Sequence, residues 1–426
     1  MSMPQTILII GAFDTKGPEF AFLRDRILQY GHDVLTMNIG VLGGTDQFPV
    51  DIDADSVAAA AGTCLEKLRA EKDRGTAMKV MATGAPRVIA ELYAARKFSA
   101  VIGMGGTGGS SVICSALRAL PIGVPKVCVS TAAAGDVSAF VGAKDIVMVP
   151  SIVDIAGINR VSRIIFAEAA AAVCGMAAAG TVSAEGTRPV IAASMFGNTT
   201  ACVTQCAGLL EAHGYEVLVF HAVGSGGRTM ESLVDEGLVD AVLDITTTEW
   251  ADEICGGVFT AGPDRLGAPG RRGIPHLIVP GCIDMVNFGP LETVPKTYRD
   301  AGRSFYEWNP SVTLMRTNEA ENRELGRVFA EKANAAQGPV AFLLPLRGVS
   351  ILDGEGQPFC DWAADRAMYE TLKQGLRPDI VVEELDSNIN DAAFAKRAVD
   401  MLLHMIAAAG SRRLTGGASS QRVLGT

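Results

Sequence analysis

Residues 98–114, Phe-Ser-Ala-Val-Ile-Gly-Met-Gly-Gly-Thr-Gly-Gly-Ser-Ser-Val-Ile-Cys, constrain this chain more than any other stretch. An apolar run leads into glycines at 103, 105, 106, 108 and 109, and a second apolar pattern follows. That order predicts a buried strand, a glycine turn and a helix, the repeating unit of parallel α/β sheets. The glycines permit positive φ and let a ligand approach bare backbone. A helix starting near Gly109 would aim its free N–H groups and the positive end of its dipole into the turn. Such a place suits a phosphate.

Two known glycine signatures can be tested against it. Gly103, Gly105 and Gly108 satisfy G-x-G-x-x-G after a strand. The next strand, Lys126–Ser130, runs into Thr131, where a dinucleotide fold wants an acidic residue for the ribose. NAD is therefore disfavoured. Read as G-x-x-x-x-G-K-[ST], Gly103 through Gly108 and Ser110 fit, but Gly109 stands where the lysine belongs. Without that lysine to neutralise β- and γ-phosphate charge, a P-loop NTPase is disfavoured too. What survives is a glycine cradle for an anion, against the alternative of a tight turn that binds nothing.

The chain has 426 residues, enough for two or three domains. It is 48% hydrophobic with only 6% aromatic and 20% charged residues, a profile suited to close-packed α/β layers. A net charge of −10 and the absence of Lys/Arg runs argue against nucleic-acid binding. The nine cysteines form no C-x-x-C pair and sit in apolar patterns, as in a reduced, cytoplasmic protein. Cys202 and Cys206, one helical turn apart, read as packing residues. No apolar run approaches the roughly 20 residues of a membrane span, so no membrane partner is expected.

Strand and helix alternate throughout. Expected strands are Thr6–Ile10, Asp33–Asn38, Ala100–Met104, Lys126–Ser130 and Asp145–Val149, with helices at Pro18–Tyr30, Ser56–Lys72, Gly109–Ala119 and Ile158–Ala179. A helix over Ala77–Lys97 is expected to break at Gly84-Ala-Pro86. After the polar segment Thr181–Arg188 the pattern restarts, with strands at Pro189–Ser194, Glu216–His221, Ala241–Ile245, Ile274–Pro280, Val340–Pro345 and Asp379–Glu384. The halves echo each other at one constant offset, Phe13 with Phe196, Gly31 with Gly214, Val34 with Val217 and Leu35 with Leu218. The expected architecture is two Rossmann-like, doubly wound α/β domains with mainly parallel sheets and an interdomain cleft. Their bounds are 1–183 and 184–410, followed by a disordered tail over 411–426.

Ligands in such sheets bind at the carboxyl ends of strands, and several strand ends here carry polar, glycine-bearing loops. After the first strand, Asp14 could hold Mg²⁺ or a ribose hydroxyl and Lys16 could neutralise a phosphate, with Thr15 between them. The cradle contributes Gly105, Gly106, Thr107, Gly108, Gly109, Ser110 and Ser111, and the following strand end adds Ser130, Thr131 and Gly135. In the second half the candidates are Gly197, Asn198 and Thr199, then Gly226 and Arg228 in a second glycine-rich loop, then Asp284 and Arg347. For acid–base work the only groups in reach are Asp244, Glu249, Asp284 and His221. No Ser lies in G-x-S-x-G and no His/Cys/Asp set has metal spacing.

Seven segments together carry a family resemblance: Gly103–Gly109, Leu120–Lys126, Val153–Asn159, Val219–Gly224, Leu243–Glu249, Asp284–Pro290 and Ile389–Asp391. They resemble the family formed by the N-terminal domain of the tomato protein for resistance to tomato mosaic virus and a large group of uncharacterised bacterial relatives. The resemblance runs from about Thr6 to about Ile406. It implies an ATP-binding module of two Rossmann-like subdomains, commonly a homodimer, in which the plant member binds a viral replication protein. Two positions depart from the family pattern: Asn388 stands where histidine is usual, and Arg347 where lysine is frequent. The leading expectation is an ATP-binding protein, with Mg²⁺ as an accompanying ion. The rivals are an enzyme of small-acid or sugar-acid metabolism and a non-catalytic interaction module.

Overall fold

The computed structural model describes residues 4–180 and 188–417. The chain forms two compact units, Met1–Ala184 and Glu185–Thr426, each built on its own sheet. The segment read as a junction falls, but for Arg188, outside the described residues.

The first unit runs β1 (Thr6–Gly11), α1 (Phe13–Gln29), β2 (Asp33–Asn38), α2 (Ala54–Ala60), α3 (Leu65–Glu71), α4 (Arg74–Ala94), β3 (Ala100–Gly105) and α5 (Thr107–Arg118). It continues with β4 (Lys126–Ser130), α6 (Ser138–Val141), β5 (Val147–Pro150) and α7 (Arg160–Ala179). Its five strands lie in the order β2-β1-β3-β4-β5, all parallel. Successive residues of β1 serve opposite faces: Ile7 and Ile9 pack with Phe20 and Phe166, while Leu8 and Ile10 pack with Val57 and Ile113. A strand covered on both sides must be apolar at every position, which is how this one reads. The winding reverses between β1 and β3, so the carboxyl ends of those strands flank a crevice.

Two expectations are corrected here. Residues 56–72 form two helices, α2 and α3, with a turn between them. Conversely, α4 runs unbroken through Gly84 and Pro86. A Cβ at Gly84 would overlap the Val57 carbonyl oxygen, so this glycine marks close approach of α2 to α4 and not a break. Of the described helices, α7 alone is long and apolar enough to cross a membrane by length and composition. In this fold its Phe166, Ala170 and Val173 pack on the sheet.

The second unit runs β6 (Val190–Met195), a 3-10 turn (Gly197–Thr199), α8 (Thr200–Ala212), β7 (Glu216–His221), α9 (Ser225–Asp235), β8 (Ala241–Thr246), α10 (Glu249–Cys255), α11 (Ala268–Arg272) and β9 (His276–Gly281). Next come β10 (Met285–Phe288), α12 (Lys296–Asp300), β11 (Phe305–Asn309), β12 (Val312–Arg316), α13 (Glu319–Ala335), β13 (Val340–Pro345), α14 (Trp362–Gly375), β14 (Val381–Leu385) and α15 (Ala392–Gly417). The six-stranded parallel sheet has the order β14-β13-β9-β8-β6-β7. Read from β7, this is the winding of the first unit again, with the reversal between β6 and β8. Phe13 and Phe196 thus follow equivalent strands. A three-stranded antiparallel sheet, β10-β12-β11, is inserted after β9, and the sequence reading did not foresee it. Helix α15 occupies the first residues of the segment read as a disordered tail, and 418–426 lie outside the described residues.

Two helix glycines should respond oppositely to substitution. Gly84→Val places atoms against the Val57 carbonyl and should destabilise by roughly 2 kcal/mol or more. Gly175→Ala in α7 meets nothing within 4 Å and should stabilise by about 0.5–1 kcal/mol. Thermal unfolding of the two variants, compared with the parent, checks the sign of each.

Candidate functional site

The site begins where β3 ends. Helix α5 starts at Thr107, with Gly106 as its N-cap, and no side chain caps it. Its first-turn N–H groups have no partner within the helix, as at any helix start. None of the glycines 103, 105, 106, 108 and 109 takes a positive φ, so conformational freedom is not their role. A Cβ at 105 would stand 2.9 Å from the Ser110 nitrogen, and one at 103 would stand 2.9 Å from the Ile10 carbonyl oxygen. Those two glycines let α5 close down on the sheet. Above the turn there is room: a Cβ at 106 would find only Thr131 Oγ1, at 3.8 Å, and one at 109 would find nothing within 4 Å.

The side chains divide differently from the sequence expectation. Ser110 is buried and donates to the Gly105 carbonyl (3.0 Å) and to Ser130 Oγ (2.7 Å). Ser130 Oγ in turn accepts from the Ala132 N–H at 3.0 Å. These two hydroxyls therefore bind β3, β4 and α5 together and are not free for a ligand. Thr107, Ser111 and Thr131 are exposed, and Gly135 sits in the turn after β4. Asp14 Oδ2 accepts from the Leu42 N–H at 2.8 Å, holding the loop after β2, while its Oδ1 is buried without a partner. Lys16 Nζ donates to the Ile155 carbonyl, so the ammonium is turned toward the loop before α7. Thr15 is exposed. Among the described residues, no cluster of three or more His, Cys, Asp or Glu could hold a metal ion.

One residue escaped sequence reasoning. Arg74 opens α4, and its Nη2 lies 3.6 Å from where a Cβ on Gly108 would stand. It is exposed and has no hydrogen bond or ion pair among the described residues. Ser115 of α5 donates to the Ala82 carbonyl of α4 at 3.2 Å, so the two helices run side by side with their N-termini at the same end. A cation thus stands beside the uncapped turn, where a P-loop would use a lysine from α5 itself. Only Asp73, the N-cap of α4, which accepts from the Gly75 N–H at 2.8 Å, hinted in sequence that a helix began there. A cavity of about 890 Å³ opens at the opposite, amino ends of β1, β3 and β4, beside Gln5, Phe98, Pro125 and Met176, and touches none of these groups.

In the second unit the glycine-rich helix start after β7 is filled by the protein itself. The N–H groups of Gly224 and Gly227 at the start of α9 donate to Glu249 Oε1 at 2.7 and 3.1 Å. Arg228 donates to the Thr260 carbonyl at 2.8 Å, and a Cβ on Gly226 would overlap the His221 carbonyl. The expectation that Gly226 and Arg228 meet an anion is thereby corrected: a carboxylate of the chain already sits there. Glu249 is held in place by Arg265, 1% exposed, whose Nε lies 2.7 Å from Oε2. The same guanidinium takes both oxygens of Asp244, at 2.5 and 2.7 Å. Burial pushes Asp244 up, but Arg265 overrides it and holds the group well below the usual carboxylate range. Asp244 and Glu249 are both ion-paired with one buried arginine, and burial raises Glu249 above its ordinary value. His221 is exposed and stacks on Phe196 at 5.4 Å.

The remaining second-unit residues lie at the carboxyl ends of the sheet, where hydrogen bonds tie Asn198 to Met285 and Asn390, and Arg347 through Asn388 and Ser350 to Asp284. Gly197 lies against Trp308, Asn198 donates to Met285 Sδ at 3.1 Å, and Thr199 shares a 2.7 Å hydrogen bond with Thr246. Arg347 is exposed and paired with Asp386 at 2.5 Å, and Asn388 donates to its carbonyl at 3.0 Å. Asp284 is fully buried and accepts from Ser350 Oγ at 2.8 Å. It joins a carboxylate group centred on Arg316, whose Nη2 reaches Asp365 at 2.7 Å and Asp353 at 3.0 Å. One guanidinium cannot balance three buried carboxylates. Burial raises Asp284 to about 6 and Asp353 to about 9, and raises Asp365 as well.

Models of the N-terminal and C-terminal domains of the uncharacterised protein family UPF0261 match residues 5–181 and 188–406. The chain belongs to the UPF0261 family. A UPF0261 protein of Clostridium tetani is 45% identical over 95% of this chain and 100% of its own length. A UPF0261 protein of Mesorhizobium japonicum is 43% identical over 93% of this chain and 98% of its own. The tomato (Solanum lycopersicum) ToMV resistance protein Tm-1(GCR237) is 40% identical over 78% of this chain, a match that spans 45% of the tomato protein. The resemblance read from the seven motifs therefore holds. Among solved structures, the spinosyn rhamnosyltransferase SpnG aligns over 96% of this chain and 100% of its own at a TM-score of 0.20 and 13% identity, too low to bear on function.

The buried carboxylates of this UPF0261 chain set a pH dependence. An aspartate raised in the fold contributes stability that is complete below its unfolded value, 3.8, and lost as pH rises through its folded value, about 9 for Asp353. Asp244, shifted the other way, loses its contribution only in strong acid and leaves this window untouched. Stability to urea should therefore fall between pH 5 and 9, by at most about 1.4 kcal/mol per pH unit for each retained proton. Asp353→Asn should flatten that slope. Urea titrations at closely spaced pH values measure both.

Proposed function

We propose that this chain is an ATP-binding protein that seats the phosphates on the N-terminus of α5 in its first unit. One observation carries the reading: an uncapped twelve-residue helix begins at the sheet's winding reversal, under open space at Gly106 and Gly109, with Arg74 beside it. Backbone N–H groups and the helix dipole would meet the phosphate oxygens, Thr107 and Thr131 would add hydroxyls, and Arg74 would supply the positive charge that no lysine provides. A magnesium ion would then be held chiefly by phosphate oxygens and water, as this hard cation commonly is. The acid–base rival loses support, because Asp244 and Glu249 are both committed to Arg265.

Gly106→Asp tests the reading with the fold preserved. Gly106 is the N-cap, with φ −68° and ψ 179°, a geometry in which aspartate caps a helix well. The new carboxylate should raise stability by only a few tenths of a kcal/mol while occupying and repelling the place meant for phosphate. Equilibrium binding of labelled ATP should be lost in Gly106→Asp and weakened about tenfold in Arg74→Ala, the worth of one charge-assisted contact. Unchanged binding in the folded Gly106→Asp variant would remove the phosphates from α5.

A further inference from the structure

Beside the phosphate cradle, a cavity of about 340 Å³ lies at the carboxyl ends of β4 and β5. Thr131, Pro150, Ser151, Ile152, Val153 and Asp154 form most of its wall. Its volume falls within the range of small-molecule sites. Thr131 belongs to both places, since its hydroxyl is the nearest atom to the open side of Gly106. A molecule anchored by phosphate on α5 would therefore extend its remainder over Thr131 into this cavity.

The wall has a definite chemical preference. Its one charged group is Asp154, which is exposed; Oδ1 takes the Ile155 N–H at 2.8 Å, and Oδ2 has no partner among the described residues. The Ser151 hydroxyl is spent on the Val153 carbonyl at 2.6 Å. A second phosphate or a carboxylate in this cavity would face an uncompensated negative charge. Neutral O–H donors would find a charged acceptor, which makes the stronger kind of hydrogen bond. No aromatic side chain lines the wall, so a flat base has no ring to stack on. The backbone is strained on the same wall: Ile152, β-branched and 70% exposed, takes φ +63°. Nothing in the core requires that side chain there, and left-handed β-branched residues are outliers that gather at ligand sites.

We propose that this cavity receives the hydroxyl-bearing part of a phosphate ester, with Asp154 accepting hydrogen bonds from a vicinal diol. The inference rests on the phosphate reading of α5 and adds what the ligand must carry beyond phosphate. The diol has two sources, the ribose of a nucleotide or a free sugar phosphate.

Calorimetric titration of the full chain with four probes separates these readings: tripolyphosphate, ATP, 2′,3′-dideoxy-ATP and ribose 5-phosphate. In the parent protein, ATP should bind about tenfold more tightly than dideoxy-ATP. Asp154→Ala should erase that difference and leave tripolyphosphate unchanged. Asp154→Asn, which keeps an oxygen for the Ile155 N–H, should act in the same direction, and its melting curve reports whether the loop is intact. Binding of ribose 5-phosphate alone, sensitive to Asp154, would support the diol site and assign it to a sugar phosphate in place of ATP. Equal affinity for ATP and dideoxy-ATP, or ATP binding indifferent to both Asp154 variants, would overturn the inference while leaving the cradle. Failure of all four probes would overturn cradle and cavity together.

Discussion

The turn between β3 and α5 has no room for a side chain at residue 105, and most of what is distinctive in the first unit follows from that exclusion. Because the Ser110 nitrogen would lie 2.9 Å from any Cβ there, the helix can start directly against the strand end. Ser110 then reaches both the Gly105 carbonyl and Ser130, locking β3, β4 and α5 into one corner. As at any uncapped helix start, the first amide groups of α5 have no acceptor within the helix, and an anion is the kind of acceptor such a row stabilises.

The second unit shows the opposite solution on the same winding. Its glycine-rich helix start, at α9, is neutralised by Glu249, and Glu249 is balanced by a buried arginine that also holds Asp244. Charges this deep are tolerated only when paired and fully hydrogen-bonded. Removing one member would strand the others, so the network serves the integrity of the carboxyl end of β8, inside the sheet. Around Arg316 the balance is incomplete, and the excess carboxylates keep protons well above their ordinary range. Two α/β units of like topology therefore differ at their strand ends: in one a helix start is left bare, in the other internal ion pairs close it.

Legibility from sequence varied with the range of the interaction responsible. The strands were evident because burial on two faces leaves no polar alternation, as in Ile7–Ile10. The uncapped glycine turn was evident because its residues are contiguous. Gly84 misled, since a glycine that permits a neighbouring helix to approach looks in sequence like one that ends a helix. Asp14, Lys16 and Ser110 were rightly placed at strand ends, yet their side chains turn to Leu42, Ile155 and Ser130, which local sequence cannot foretell.

By itself the sequence determined the doubly wound α/β character of both halves, the family, and the location of the glycine turn after β3. Each of these is written in nearest-neighbour patterns of apolar and glycine residues. Only the tertiary structure decided which polar groups remain free at that turn. It brought Arg74 from α4 beside Gly108, set Asp154 on a cavity wall next to Thr131, and turned Glu249 onto its own helix start. Those outcomes depend on which helix packs beside which strand, and so on contacts between residues that are distant along the chain.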